Sequence, residues 1–234
     1  VKEPCVLFGG SFDPVHYGHL RMAVEVGELL QAEVRLLPSP AQADKRNRAT
    51  ARQRVDMLQR ALTEAGAGQR SGLVVDRGEV DLRDADDLRP VYTVDTLHRY
   101  RQQLSPEQIL IFVMGMDSLL NIRSWHQWQQ LLDHAHLLVV GRPGSHDESG
   151  KQALEDLQRD PQLSGAFSST VSGLLDCPAG QIHVTQLSLL DISSSRIRAL
   201  LSEGRCANFL TAPSVLEYIA ENELYSCASD HKMI

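Results

Sequence analysis

Two histidines, His16 and His19, stand three residues apart behind a double glycine in the run GGSFDPVHYGH at 9–19. If a helix begins here, residues at that spacing share one face, so both imidazoles point the same way. The apolar run 5–8 (CVLF) reads as a buried strand. Gly9 and Gly10 after it let the backbone turn sharply and aim amide donors at an anion. A helix N-terminus adds free N–H groups and partial positive charge, so the arrangement suits phosphate. Gly18 removes a side chain where a ligand would press on the helix. Taken singly, the glycines make a tight turn and the histidines are polar surface. Strand, double glycine, Asp13-Pro14 turn and HxGH coincide here, and together they favour phosphate. A zinc pair would need a third ligand, and the sequence offers no obvious one.

A second cluster lies at 192–198, ISSSRIR. Three serines before an apolar-periodic run make an N-cap and offer hydroxyls as well as amides. Arg196 and Arg198 fall early in that helix, where a cation meets an end that is already positive. A bound anion would offset the repulsion. Solvent-exposed arginines over an ordinary serine cap are the alternative, and that reading stands for Arg196. Paired with HxGH, Arg198 is assigned to the anion.

Such groups need a scaffold. Strands fit 33–37 (stopped by Pro38 and Pro40), 73–75, 109–114 (ILIFVM), 136–140 (HLLVV) and 182–187. Between them lie helical patterns: Leu20, Ala23, Val24, Gly27 and Leu30; then 51–65, with Thr50 and Gln53 in capping-box spacing and Val55, Leu58 and Leu62 on one face. Val94, Leu97 and Leu104 mark a further helix, 125–133 another, and 194–202 and 214–222 the last two. The alternation predicts an α/β fold, Rossmann-like and doubly wound: a mostly parallel sheet with helices on both faces and a C-terminal helical segment. Ligands of such sheets bind at the strands' carboxyl ends, near the switch point.

The chain has 234 residues, 42% of them hydrophobic, enough for one core without staples. A single domain is expected over 1–225, with an irregular insertion at about 143–180 holding one helix near 151–158, and a loose tail at 226–234. A net charge of −7 argues against a broad nucleic-acid or anionic-membrane surface. Cys5, Cys177, Cys206 and Cys227 form no CxxC pair, which fits a reduced, cytoplasmic compartment. No apolar run approaches the ~18 residues of a membrane helix. VKEPCVLF enters a strand directly, so no signal peptide is visible, while an earlier-removed leader stays open. Oligomeric state is not legible.

HxGH followed by ISSSxIR resembles the nucleotidyltransferase superfamily, and specifically the bacterial-type nicotinate mononucleotide adenylyltransferases. Tyr92-Thr93-Val94-Asp95-Thr96-Leu97 is similar to that family's YTxxTL, and FVMGMDS at 112–118 to its strand followed by Gly-x-Asp. Trp125 and Trp128 stand where its tryptophans follow, and Arg142-Pro143-Gly144 and the late VLEYI…LY also fit. The resemblance covers most of the chain. Two places depart from it: Pro90-Val91 replaces the usual serine before YT, and Gln42-Ala43-Asp44-Lys45 replaces Pro-Pro-His-Lys/Arg.

The resemblance implies in-line attack of the nicotinate mononucleotide phosphate on the α-phosphorus of ATP, releasing pyrophosphate. It makes His16, His19 and Arg198 catalytic. It assigns Gly9, Gly10, Ser11, Phe12, Gly18, Gly115, Asp117, Ile192, Ser194 and Ser195 to ATP. It assigns Ser39, Lys45, Tyr92, Thr93, Trp125 and Arg142 to the mononucleotide. Trp128 reads better as core, and Asp117 could equally cap a helix. Magnesium would arrive with ATP, so no dedicated metal cage is expected. Other acceptors, nicotinamide mononucleotide or phosphopantetheine, remain open, as does a silent nucleotide-binding protein. A class I aminoacyl-tRNA synthetase fragment shares HxGH, but a KMSKS-like loop is missing.

Overall fold

Val6, Leu7 and Phe8 are all buried, yet they face different cores: Val6 and Phe8 one, Leu7 the other. The same split runs through 110–114, where Ile111 and Val113 oppose Leu110, Phe112 and Met114. Successive strand side chains alternate sides, so a continuous apolar run can only be satisfied by a sheet covered on both faces. The computed structural model describes residues 3–40, 48–66, 72–81, 91–141, 148–188 and 190–226.

The strands are β1 (Cys5–Gly10), β2 (Val34–Pro38), β3 (Leu73–Val75), β4 (Leu110–Gly115), β5 (His136–Gly141), β6 (Phe167–Ser168) and β7 (Ile182–Gln186). They form one sheet in the order β3-β2-β1-β4-β5-β7-β6, and every pairing is parallel. The order reverses between β1 and β4, so the crevice of the switch point opens beyond Gly10 and Gly115.

Helices α1 (Tyr17–Leu30), α2 (Ala51–Glu64), α3 (Thr93–Gln103), α4 (Met116–Leu120), α5 (Leu131–His134), α6 (Glu148–Arg159), α7 (Ser194–Ser202) and α8 (Pro213–Glu221) complete the chain. Ala23, Val26 and Leu30 of α1, Met57, Leu58, Ala61 and Leu62 of α2, and Val215 and Ile219 of α8 pack on one face. Val94, Leu97 and Tyr100 of α3, Leu119 of α4 and Leu157 of α6 cover the other. The expected capping box at Thr50 forms in full, with Gln53 N–H on the Thr50 hydroxyl and the Gln53 side chain on the Thr50 N–H.

Two stretches differ in detail from the sequence reading. No single helix spans 125–133; short 3₁₀ turns at Ile122–Ser124 and Trp128–Gln130 lead into α5. Trp125 and Trp128 both pack on the same core, and Gln127, left-handed at φ 48°, turns the chain between them. The 148–180 stretch carries α6, starting three residues before the expected helix, and β6, which adds an edge strand beside β7. Leu157, Leu163 and Leu174 anchor it to the two cores.

Candidate active site

Because all strands run the same way, the loops after β1, β2 and β4 and the approach to α7 leave the sheet at one edge. The sharp turn after β1 is made by Phe12, in the left-handed region at φ 48°, and not by the glycines, which continue the strand through Gly10. Left-handed backbone costs a non-glycine residue roughly 1–2 kcal/mol. Complete burial of the Phe12 ring, worth about 1.5–3 kcal/mol, offsets it. Gly9 and Gly10 also serve close packing. A Cβ on Gly9 would meet the Phe112 ring at 2.7 Å, and one on Gly10 the Phe12 ring at 2.8 Å. At Gly18 the neighbour is the His16 ring, 3.0 Å from such a Cβ, with the Leu190 carbonyl oxygen at 3.5 Å.

His16 caps α1: its Nδ1 accepts the His19 backbone N–H at 3.3 Å. That bond fixes the Nδ1 lone pair inward and, in the neutral ring, leaves the proton on Nε2. The His16 and His19 rings stack at 3.6 Å between centroids, 18° apart in plane, and Phe12 meets His19 edge-on at 5.0 Å. His19 Nδ1 is buried without a hydrogen-bond partner. Burial, followed by the adjacent His16, holds the His19 pKa well below the usual histidine value. A neutral imidazole at neutral pH can still donate one N–H.

The α7 end docks onto this loop. Ser193 is its N-cap, accepting from Arg196 N–H at 3.2 Å, and the Ser194 hydroxyl donates to Pro14 O at 2.9 Å. Ile192 is half-buried and Ser195 exposed. Arg198 points inward: Nη1 donates to Asp13 O, and Nη2 to the Ser195 hydroxyl at 3.1 Å. Arg196 is exposed. The two arginines thus diverge, as positions two apart on a helix must.

Several site residues escaped the sequence reading. Asp13 is buried and holds three elements together. Its Oδ1 accepts the Ala49 N–H at 3.1 Å and the Tyr225 hydroxyl at 2.6 Å, and its Oδ2 pairs with Arg48 at 2.9 Å. Burial and the Asp13 contact raise the Tyr225 pKa. Buried Arg54 reaches the Ser11 and Ser39 carbonyls, each at 2.6 Å, and so joins the loops after β1 and β2. One signal was available: Arg54 sits one turn before Leu58 on the buried side of α2, where a cation needs a polar reason.

The second half of the crevice starts at Gly115, the N-cap of α4, where an added Cβ would meet nothing within 4 Å. Asp117 lies inside the first turn with its side chain exposed, so it is not the cap. Phe112 contacts both halves: its ring presses on Gly9 and meets Trp125 edge-on at 6.5 Å. The next residue, His126, stacks on Tyr92 at 4.1 Å. Tyr92 is the N-cap of α3 and Thr93 its first residue. Trp125 and Trp128 are both partly buried. Lys45 and Arg142 lie outside the described residues, as does Pro90. Among the described residues, no group of three or more His, Cys, Asp or Glu side chains could hold a metal ion, and no helix is long and apolar enough to cross a membrane.

The model of the cytidylyltransferase-like family matches residues 7–200. A protein of Aeromonas hydrophila named "Probable nicotinate-nucleotide adenylyltransferase" is 39% identical over 227 residues, covering 96% of this chain and 98% of that protein. One of the same name from Pseudomonas aeruginosa is 38% identical over 221 residues, covering 94% and 95%. The chain belongs to the cytidylyltransferase-like family, in its nicotinate-nucleotide adenylyltransferase branch. Plasmodium falciparum nicotinic acid mononucleotide adenylyltransferase, complexed with NaAD, superposes with a TM-score of 0.68, covering 96% of this chain and 98% of that one. At 19% identity that likeness speaks for the fold alone.

Proposed function

We propose that the chain transfers the adenylyl group of ATP to nicotinate mononucleotide, giving nicotinate adenine dinucleotide and pyrophosphate. The supporting observation is convergence: stacked His16 and His19, the α7 N-terminus and inward Arg198 all meet the one loop after β1. The near full-length relatives carry the name of this reaction.

An oxygen of the mononucleotide phosphate attacks the α-phosphorus, and the bond to the β-phosphate oxygen breaks with its electron pair. A phosphate monoester is already anionic at neutral pH, so no general base is required. Positioning and charge stabilisation carry the catalysis. In this reading His16 and His19, the latter held neutral by burial, donate to phosphate oxygens. Ser194, Ser195 and Arg198 hold the β- and γ-phosphates, a charge-assisted arrangement. Gly9, Gly10, Ser11, Phe12, Gly18, Gly115, Asp117 and Ile192 line the rest of the ATP site.

Ser39, Lys45, Tyr92, Thr93, Trp125 and Arg142 take the mononucleotide, with the pyridinium on the Trp125 face. ATP enters as its magnesium complex, so the ion belongs to the substrate. A cytoplasmic location completes the reading and rests on the scattered cysteines. Product analysis tests it: with ATP and nicotinate mononucleotide, the dinucleotide and pyrophosphate form in equal amounts. Hydrolysis of ATP without dinucleotide would refute it.

A further inference from the structure

Arg48, Arg54 and Arg198 gather around a single carboxylate, Asp13, beneath the loop after β1. Their donors are used very differently. Arg54 spends both ends of its fork on backbone carbonyls. Arg198 is engaged by Asp13 O and Ser195. Arg48 has one contact, Nη1 to Asp13 Oδ2 at 2.9 Å, and Arg198 Nη1 lies 3.9 Å from that same oxygen. The other Asp13 oxygen is taken by Ala49 N–H and Tyr225. Among the described residues nothing else binds the Arg48 guanidinium, whose side chain is one-third exposed at 33%.

One carboxylate balances one of three cations. Two guanidinium groups on a single partly buried oxygen repel each other, and partial burial weakens the screening. A third charge of negative sign would relieve this, and the surroundings already favour one: the α1 and α7 N-termini both end at this loop. Arginine suits the task because its planar fork can keep one edge on a carboxylate and offer the other to phosphate.

We infer that Arg48 is a phosphate-binding residue, holding phosphate oxygens beside Arg198 through the guanidinium edge that Asp13 leaves open. The identity of that phosphate, on ATP or on the mononucleotide, rests on the proposed adenylyl transfer; the binding itself does not. Arg48→Gln and Arg48→Lys are compared with the parent chain in three measurements: thermal midpoint, KM for each substrate, and Kd for inorganic pyrophosphate by calorimetry. The Gln variant should weaken pyrophosphate at least about tenfold, the loss of a charge-assisted contact. The Lys variant keeps the ion pair to Asp13 and the fold but loses the fork, and should weaken it several-fold. A matching rise in KM for ATP alone assigns the triphosphate; a rise for nicotinate mononucleotide alone, with pyrophosphate unchanged, assigns the acceptor phosphate. If both variants keep all three constants within twofold, or lower only the thermal midpoint, Arg48 merely anchors Asp13 and the inference falls. Pyrophosphate binding needs no turnover, so a chain that binds it through Arg48 yet makes no dinucleotide would sink the proposed reaction and leave this inference standing.

Discussion

His19 combines an unpartnered, buried Nδ1 with a depressed pKa, and both features have measurable consequences. An unfolded histidine takes up its proton near pH 6.5. Folded His19 resists until lower pH, so below 6.5 the unfolded chain binds more protons. Stability from this residue is therefore fully present above about pH 6.5 and lost as pH falls toward the folded value. Urea midpoints between pH 7.5 and 5.5 should fall less steeply for His19→Gln than for the parent chain; parallel slopes would show that His19 is not buried neutral. If His19 donates to the transition state as proposed, a contribution of about 2.7–4 kcal/mol is expected, so His19→Ala should lower kcat roughly 10²–10³-fold with little change in thermal midpoint. Near-normal turnover would remove it from the mechanism. Arg198→Ala should raise KM for ATP far more than Arg196→Ala, since only Arg198 reaches the loop after β1. Equal effects from both would contradict that divergence.

The elements were legible wherever burial leaves a period in the sequence. Short β-branched-rich runs such as ILIFVM read as buried strands, and the Thr50–Gln53 pair announced the start of α2. At 125–133 apolar spacing suggested one helix, but two indoles pinned to one core and a left-handed Gln127 break it. The glycine pair marked the right loop, although the left-handed turn there is made by Phe12 rather than by the glycines. Its residues are small because the Phe112 and Phe12 rings lie against them. Least legible was the polar network under the site. Arg198 and Tyr225 reach Asp13 from 185 and 212 residues away, and no local pattern records contacts of that span. Arg54 gives the element-scale test. Arg54→Met removes two buried carbonyl partners, leaving the Ser11 and Ser39 oxygens unsatisfied at about 1–3 kcal/mol each. A clear drop in thermal midpoint is expected, together with a rise in KM for both substrates, because the loops after β1 and β2 lose their common tie. A variant as stable and as active as the parent would show that this tie is dispensable.

At the scale of the whole molecule, Phe112 and the Trp125–His126 turn connect the loop after β1 to the α3 N-terminus. The two halves need not weaken together when one is cut. Trp125→Ala should raise KM for nicotinate mononucleotide, since an indole face offers a cationic ring roughly 0.5–2 kcal/mol, and leave KM for ATP nearly unchanged. A rise for ATP instead would place the indole elsewhere. The acceptor's carboxylate would meet backbone amides near Tyr92 and Thr93, where α3 begins, a charge-assisted contact worth about 1.5–3 kcal/mol that nicotinamide cannot match. The most direct measurement is initial-rate pyrophosphate release with ATP and, in parallel, nicotinate mononucleotide, nicotinamide mononucleotide and phosphopantetheine. We expect kcat/KM for nicotinate mononucleotide to exceed that for nicotinamide mononucleotide by roughly tenfold to a hundredfold, with phosphopantetheine unused. Equal use of the two mononucleotides would contradict the carboxylate contact, and preference for phosphopantetheine would contradict the function itself.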